Sequence, residues 1–318
     1  MQEIMVSILC LAYNHEKYIR KTLESVVSQK TNFRFEVIVH DDASTDGTTE
    51  IIREFEQKYP DIFKPIYQTE NQYYNSPSLY TSYIIPKAQG KYCAICECDD
   101  FWIDENKLQK QVDYMESHPE CTLCIHNAVH ADVNDNFIGK VEPTAEDRII
   151  PCEEVILGGG DFCATNSILA PTRLMKNVPP YFNKITIDYI WQIYLAGEGQ
   201  TFCFAEPMSA YRIGVENSWT SQMTSKKNRK KLCDTYTQIN EALRDYDELT
   251  NYAYHDAVTE SQIRRQFEIL YIERRFEELK KEPYRSCVKK LNLPMKNKLI
   301  CFMGMHCPKL LELLERFV

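Results

Sequence analysis

No stretch of this chain is apolar for long enough to cross a bilayer. The longest apolar run late in the sequence, Leu299 to Met303, is far short of the roughly 20 residues that a spanning helix needs. The opening residues, MQEIMVSILCLAYN, show neither a basic segment nor a small-residue cleavage site, so no secretory leader is read there. The expectation is a cytoplasmic protein, with peripheral contact at the inner face of the membrane left open. Positive charge is also short: 37 Lys and Arg stand against 46 Asp and Glu, a net charge of −9. That argues against a nucleic-acid partner, because phosphate backbones demand a basic face. It does not exclude small phosphorylated ligands, since a divalent cation reconciles carboxylates with a diphosphate. There is no internal repeat and no low-complexity stretch. Thirteen cysteines are present, yet in a chain of 318 residues and inside apolar runs such as KYCAICECDD. Free thiols in a reducing compartment fit that placement better than a disulfide scaffold.

What is present alternates. Val6 to Leu11 reads as a buried strand, and Tyr18, Ile19, Leu23, Val26 and Val27 mark a helix from about His15 to Ser28. Val37 to Val39 forms a second strand, DDASTDGT a polar turn, and Ile51, Ile52 and Phe55 the inner face of a second helix that Thr45 or Asp46 would cap. Further strands are expected at Lys64 to Gln68 and Tyr92 to Cys96, and a third helix from Asp104. Strands alternating with helices give an α/β fold with a mostly parallel sheet, and such sheets bind ligands beyond the carboxyl ends of their strands. From Cys121 short strands (TLCIHNAV, SILAP, TFCFAEP) mix with a helix from Asp188 that stops at Gly197. After Ser225 the apolar spacing is helical, with stripes at Leu232, Tyr236, Ile239 and Leu243 and at Ile263, Phe267 and Leu270. Two domains follow, 1–225 and a helical appendage 226–318.

Chemistry concentrates at the predicted strand ends. Glu97, Asp99 and Asp100 place three carboxylates within four residues, followed by Phe101 and Trp102. Like charges so close need a cation or strong donors, and oxygen ligands suit Mg²⁺ or Mn²⁺; a solvated acidic turn is the bland reading. Asp41 and Asp42 end another strand, where a carboxylate accepts from a base N–H or ribose hydroxyl, or simply caps a turn. Tyr13 and Asn14 follow the first strand, offering a ring for stacking on a base, or a core tyrosine with a turn asparagine. All three fall at successive strand ends.

These blocks resemble the family 2 glycosyltransferases, which have a GT-A type fold. The matching segments are VSILCLAYNHEKYIRKTLESVVSQ, FEVIVHDDASTDGTTEII, AQGKYCAICECDDFW with KLQKQVDYM, and AEPMSAYRI, in the family's order across most of residues 4–220. The resemblance implies a nucleotide-sugar donor, most simply a UDP-sugar, and a hydroxyl acceptor on a sugar or lipid-linked glycan, with inversion at the anomeric carbon in surface polysaccharide or other glycan synthesis. It places Tyr13, Asn14 and Asp42 at the nucleotide and Asp99 on a Mg²⁺ or Mn²⁺ ion, with Glu97 and Asp100 close by. Glu97 replaces the commoner aspartate of the family's acidic motif. Asp188 in TIDYIW resembles the catalytic base; a helix N-cap is its other reading, and the two are compatible. Arg212 in SAYRI falls near the diphosphate or on the surface. Ser218 and Trp219 are assigned to a loop closing on the donor.

Other signals carry less. Cys121, Cys124, His126 and His130 lack a second ligand pair at finger-like spacing, so core thiols are preferred. LGGGDF, 157–162, lacks the setting of a phosphate loop and is read as a flexible loop. KKNRKK, 226–231, is read as a solvated linker or a contact for anionic lipid, and PKLLELLERFV as a helix packing on the body, a second subunit or a membrane. The rival functions are a nucleotidyltransferase acting on a sugar phosphate, which AYNHEKYI suits poorly, and a non-catalytic nucleotide-sugar-binding subunit.

Overall fold

Ile4–Ala12 (β1) is buried on both faces, as expected of a central strand in a covered parallel sheet. Its one polar member with a hydroxyl, Ser7, donates to Glu36 at 2.6 Å and accepts the Gly90 N–H at 2.8 Å. Gly90 is required here, because a Cβ would lie 2.4 Å from the Ser7 backbone nitrogen. The computed structural model of the chain describes residues 3–73, 75–76, 78–216, 218–224, 226–291 and 293–315.

The following elements are Ile19–Val27 (α1), Arg34–Asp41 (β2), Thr48–Lys58 (α2), Ile66–Tyr67 (β3), Tyr92–Ile95 (β4), Phe101–Trp102 (β5), Lys107–Ser117 (α3), Cys121–Ala131 (β6), Phe137–Val141 (β7), Arg148–Ile150 (β8), Cys152–Gly158 (α4), Leu169–Pro171 (β9), Thr172–Lys176 (α5), Asp188–Glu198 (α6), Gln200–Arg212 (β10) and Trp219–Thr224 (α7). The sheet order is β3-β2-β1-β4-β9-β6-β10-β5, with β7 on β6 and β8 on β10. β3, β2, β1 and β4 pair in parallel; β9 runs against both β4 and β6, and β10 is parallel to β6. Six of the eight strands on that path therefore share a direction, the mostly parallel α/β sheet expected. Ile19, Leu23 and Val26 of α1 and Ile52 and Phe55 of α2 join Val6, Ile8, Val37 and Val39 in one core.

Three local expectations change. Residues 15–18 form a turn, and α1 begins only at Ile19. α6 continues through Gly197 and ends at Gly199, where a Cβ would sit 2.5 Å from the Glu120 carbonyl oxygen. LGGGDF, read from the sequence as a flexible loop, is the end of α4 and a 3₁₀ turn at Gly159–Asp161. Cys121 and Cys124 belong to the core cluster, and the thirteen cysteines are free thiols.

The chain divides into two units, Met1–Ser221 and Gln222–Val318. The second is helical: Arg229–Leu249 (α8), His255–Ile272 (α9), Phe276–Leu279 (α10), Tyr284–Lys290 (α11), Met295–His306 (α12) and Pro308–Glu315 (α13). Phe267, Leu270, Phe276, Leu279, Cys301 and Leu311 form its core, so the tail helix packs on its own unit through Leu311. KKNRKK is no linker: Lys226–Asn228 is a 3₁₀ turn and Arg229 opens α8.

Lys107 is a polar group committed to the core. It is fully buried, donates to Gln111 at 2.7 Å and lies 4.2 Å from the Trp102 ring centre. Burial pulls its pKa from 10.5 down to about 7. The unfolded chain keeps that proton to higher pH, so this group destabilises the fold at neutral pH and ceases to do so as pH rises through the unfolded value. Lys107→Met is expected to remove this slope. Denaturant titrations should show its stability relative to wild type falling by about 3 kcal/mol between about pH 7 and about pH 9.5.

Candidate active site

The register of β1 with β2 and β4 brings three segments to one edge. Ala12 pairs with Asp41, and Leu9 with Ile95. Beyond β4 the chain stays beside β1, with the Cys96 and Cys98 N–H groups donating to the Leu9 and Leu11 carbonyls at 3.0 Å each. Tyr13, Asp42 and the Glu97–Asp100 turn therefore emerge together. α1 sets the turn from below: the Thr22 hydroxyl lies within hydrogen-bond distance of the Cys98 and Asp100 carbonyl oxygens, and Ser25 accepts the Trp102 N–H at 3.0 Å.

Within the turn the carboxylates divide by partner. Asp100 is buried; it accepts the Arg212 N–H at 2.8 Å and the Asn166 amide at 3.0 Å. Asp99 has no hydrogen bond to its carboxylate among the described residues, and only its carbonyl is held, by the Arg212 guanidinium. Arg212 itself is neither at the surface nor turned to solvent. Its side chain is buried, bonded through Nε to Asp135 at 2.8 Å, with its guanidinium carbon 4.6 Å from the Phe101 and 5.0 Å from the Tyr18 ring centres. Asp100 and Arg212 thus build the turn that presents Asp99.

Glu97 and Asp188 complete the acidic group. Asp188 opens α6, and its carboxylate accepts the Thr165 hydroxyl at 2.6 Å. Burial raises its pKa above the ordinary carboxyl value, while the Thr165 hydroxyl and the first-turn N–H groups of α6 pull the other way. Burial lifts Glu97 to about 8, and the charges of Asp99 and Asp188 add to the rise. Tyr80, at the start of a π-helical turn Tyr80–Ile84, reaches Glu97 at 3.5 Å. The Tyr211 hydroxyl, 3.0 Å from that of Thr220, is raised chiefly by burial and then by the charge of Asp100, with Glu97 and Asp188 adding to the rise.

The nucleotide candidates are differently engaged. Tyr13 is 43% exposed. Asn14, at φ 56°, cross-links two loops: its N–H donates to Ser44 Oγ at 3.0 Å and its Oδ1 accepts the Thr45 N–H at 2.8 Å. Its side-chain oxygen is engaged by the scaffold, and a left-handed backbone favours asparagine there. Asn14→Ala should lower stability by about 1–2 kcal/mol in a denaturant titration. Asp42 is buried, with one oxygen accepting the Gln72 N–H at 2.8 Å and the other the Tyr73 N–H at 3.1 Å, so it also orders the loop after β3. Ser218 and Trp219 lie at the start of α7, and Trp219 is exposed.

Thr165, Tyr80, Tyr211 and Asp135 were not found from the sequence. Tyr211 lies within the SAYRI signal, but the other three approach from 17 or more residues away and carry no motif. Clefts of about 300 and 250 Å³ lie in the helical unit and contain none of these residues; the convergence of carboxylates marks the chemistry.

Among the described residues no three His, Cys, Asp or Glu side chains are grouped to hold an ion by themselves. The donor set nevertheless fits Mg²⁺ or Mn²⁺, which take one or two carboxylates and complete their shell with phosphate oxygens and water. Among the described residues the Asp99 carboxylate has no hydrogen bond, and no cation offsets the charges that raise Glu97.

A mostly parallel sheet followed by a helical C-terminal region is the α/β architecture of GT-A type. Residues 7–155 match the family model Glycosyl transferase family 2, so the chain carries a domain of that family. It is 34% identical over 224 residues to the uncharacterized protein Rv1520 of Mycobacterium tuberculosis, covering 70% of this chain and 62% of that protein's length. It is 34% identical over 111 residues to the putative teichuronic acid biosynthesis glycosyltransferase TuaG of Bacillus subtilis, covering 35% of this chain and 42% of TuaG. Among solved structures it resembles S. aureus TarS 1–349 in complex with UDP-GlcNAc, with TM-score 0.60, 14% identity, and 95% of this chain and 82% of that one covered.

Proposed function

We propose that this chain transfers a sugar from a nucleotide diphosphate donor, a UDP-sugar, to a hydroxyl of a sugar or lipid-linked glycan acceptor in polysaccharide synthesis, inverting the anomeric carbon. The observation that carries this reading is the Glu97–Asp100 turn at the carboxyl edge of the sheet, where the Asp99 carboxylate has no hydrogen bond among the described residues and Glu97 feels the charges of Asp99 and Asp188. TuaG and the UDP-GlcNAc complex of TarS support the product class and the donor.

Tyr13 offers its exposed ring to the base, and Asp42 holds the adjoining loop. Asp99, with Glu97, would hold Mg²⁺ or Mn²⁺. When bound, the ion supplies Lewis-acid stabilisation to the diphosphate. Asp188 takes the proton of the acceptor hydroxyl as that oxygen bonds to the anomeric carbon, while the bond from that carbon to the diphosphate oxygen breaks and its electron pair leaves with UDP. Thr165 positions Asp188, and its raised pKa makes it a stronger base than an exposed aspartate.

The test is nucleotide release from UDP-glucose, UDP-galactose, UDP-GlcNAc and GDP-mannose with Mn²⁺. Slow, metal-dependent UDP release from a UDP-sugar is expected. Pyrophosphate release from a nucleoside triphosphate would assign nucleotidyl transfer instead, and donor binding with no turnover on any acceptor would assign a binding subunit.

A further inference from the structure

The chain is acidic, yet its charge is segregated. No Asp or Glu occurs between Glu282 and Glu312, an interval holding Arg285, Lys289, Lys290, Lys296, Lys298 and Lys309. α12 lies within it. One face of α12 is fixed inward: Cys301 and Gly304 are buried, and a Cβ on Gly304 would lie 2.4 Å from the Phe276 ring. The other face is open, with Met295 81%, Leu299 57% and Phe302 57% exposed. At about 100° per residue these three and the exposed His306 fall within a stripe about 60° wide. Lys296 falls on one side of it and Lys298 on the other. Neither lysine, nor the exposed Lys309 beside the exposed Leu310 on α13, has an ion pair among the described residues.

We infer that α12 docks this protein on an anionic lipid surface, lying flat with Met295, Leu299 and Phe302 among the acyl chains. The stripe is narrow and made of large apolar side chains, and long cationic stems flank it, so the ammonium groups reach headgroup phosphates while the apolar residues insert. Negative lipid attracts each such lysine. A second copy of the chain is a poorer occupant, because a two-fold contact would set this cationic rim against itself. No described helix is long and apolar enough to cross a membrane, so the contact is with the surface. The inference rests on the helical unit's own surface and is independent of the transfer chemistry.

The test is flotation of the full chain with vesicles of phosphatidylcholine alone or mixed with phosphatidylglycerol. Binding to the mixed vesicles only is expected. Leu299→Ser with Phe302→Ser should lower the bound fraction about tenfold, and Lys296→Glu with Lys298→Glu should do the same, while both keep the wild-type melting curve. No recruitment by phosphatidylglycerol, or recruitment that neither pair of substitutions weakens, would overturn the inference. So would unchanged vesicle binding in a serine variant whose sedimentation shows a dimer lost, which would give the stripe to a second copy.

Discussion

Asp188→Asn should lower the transfer rate by about 10²–10⁴-fold while leaving donor affinity almost unchanged. The substitution keeps an oxygen for the Thr165 hydroxyl, which now lies 2.6 Å from the carboxylate, and removes only the ability to take a proton. Stability should not fall, because the carboxylate is partly buried and desolvation disfavours its charged form there. Rapid-quench turnover set beside calorimetric donor binding separates the two effects. The base acts deprotonated, and its folded-state pKa is raised, so activity should fall with decreasing pH at a higher midpoint than an ordinary aspartate would give. Weak donor binding with near-normal turnover would remove Asp188 from the chemistry.

Asp99 and Asp100 are neighbours with opposite expectations. Asp99→Asn should cost at least about a hundredfold in turnover and abolish the dependence of donor binding on Mn²⁺, with an unchanged melting temperature. Its carboxylate supports no hydrogen bond of the fold among the described residues. Asp100→Ala should instead destabilise the protein by about 3 kcal/mol, because the buried Arg212 N–H and Asn166 amide lose their acceptor. Metal titrations monitored by donor binding, alongside denaturant curves for both variants, read the contrast. A destabilised Asp99→Asn with intact Mn²⁺ dependence would reverse the assignment of the two carboxylates.

That contrast shows how far a linear reading reaches. Glu97, Asp99 and Asp100 look alike in sequence, three acids after a strand. Whether a given carboxylate faces solvent or a buried donor depends on Asn166 and the Arg212 N–H, which lie 66 and 112 residues further along. Arg212 shows the same limit: its sequence neighbours suggested a ligand, but Asp135, Phe101 and Tyr18 enclose it. Asn14 carried a turn signal and a ligand signal at once, and the bonds it makes are those of the turn.

The alternation of apolar strands with helices of regular apolar spacing fixed the parallel α/β sheet, because those patterns record local geometry and burial. It also placed Tyr13, Asp42 and the acidic turn at strand ends, since chain direction in such a sheet determines which end each residue reaches. Tertiary structure alone decided which of these side chains remain free for a ligand. That depends on partners distant in the chain and on how deeply each charge is removed from water, neither of which leaves a periodic trace in the sequence.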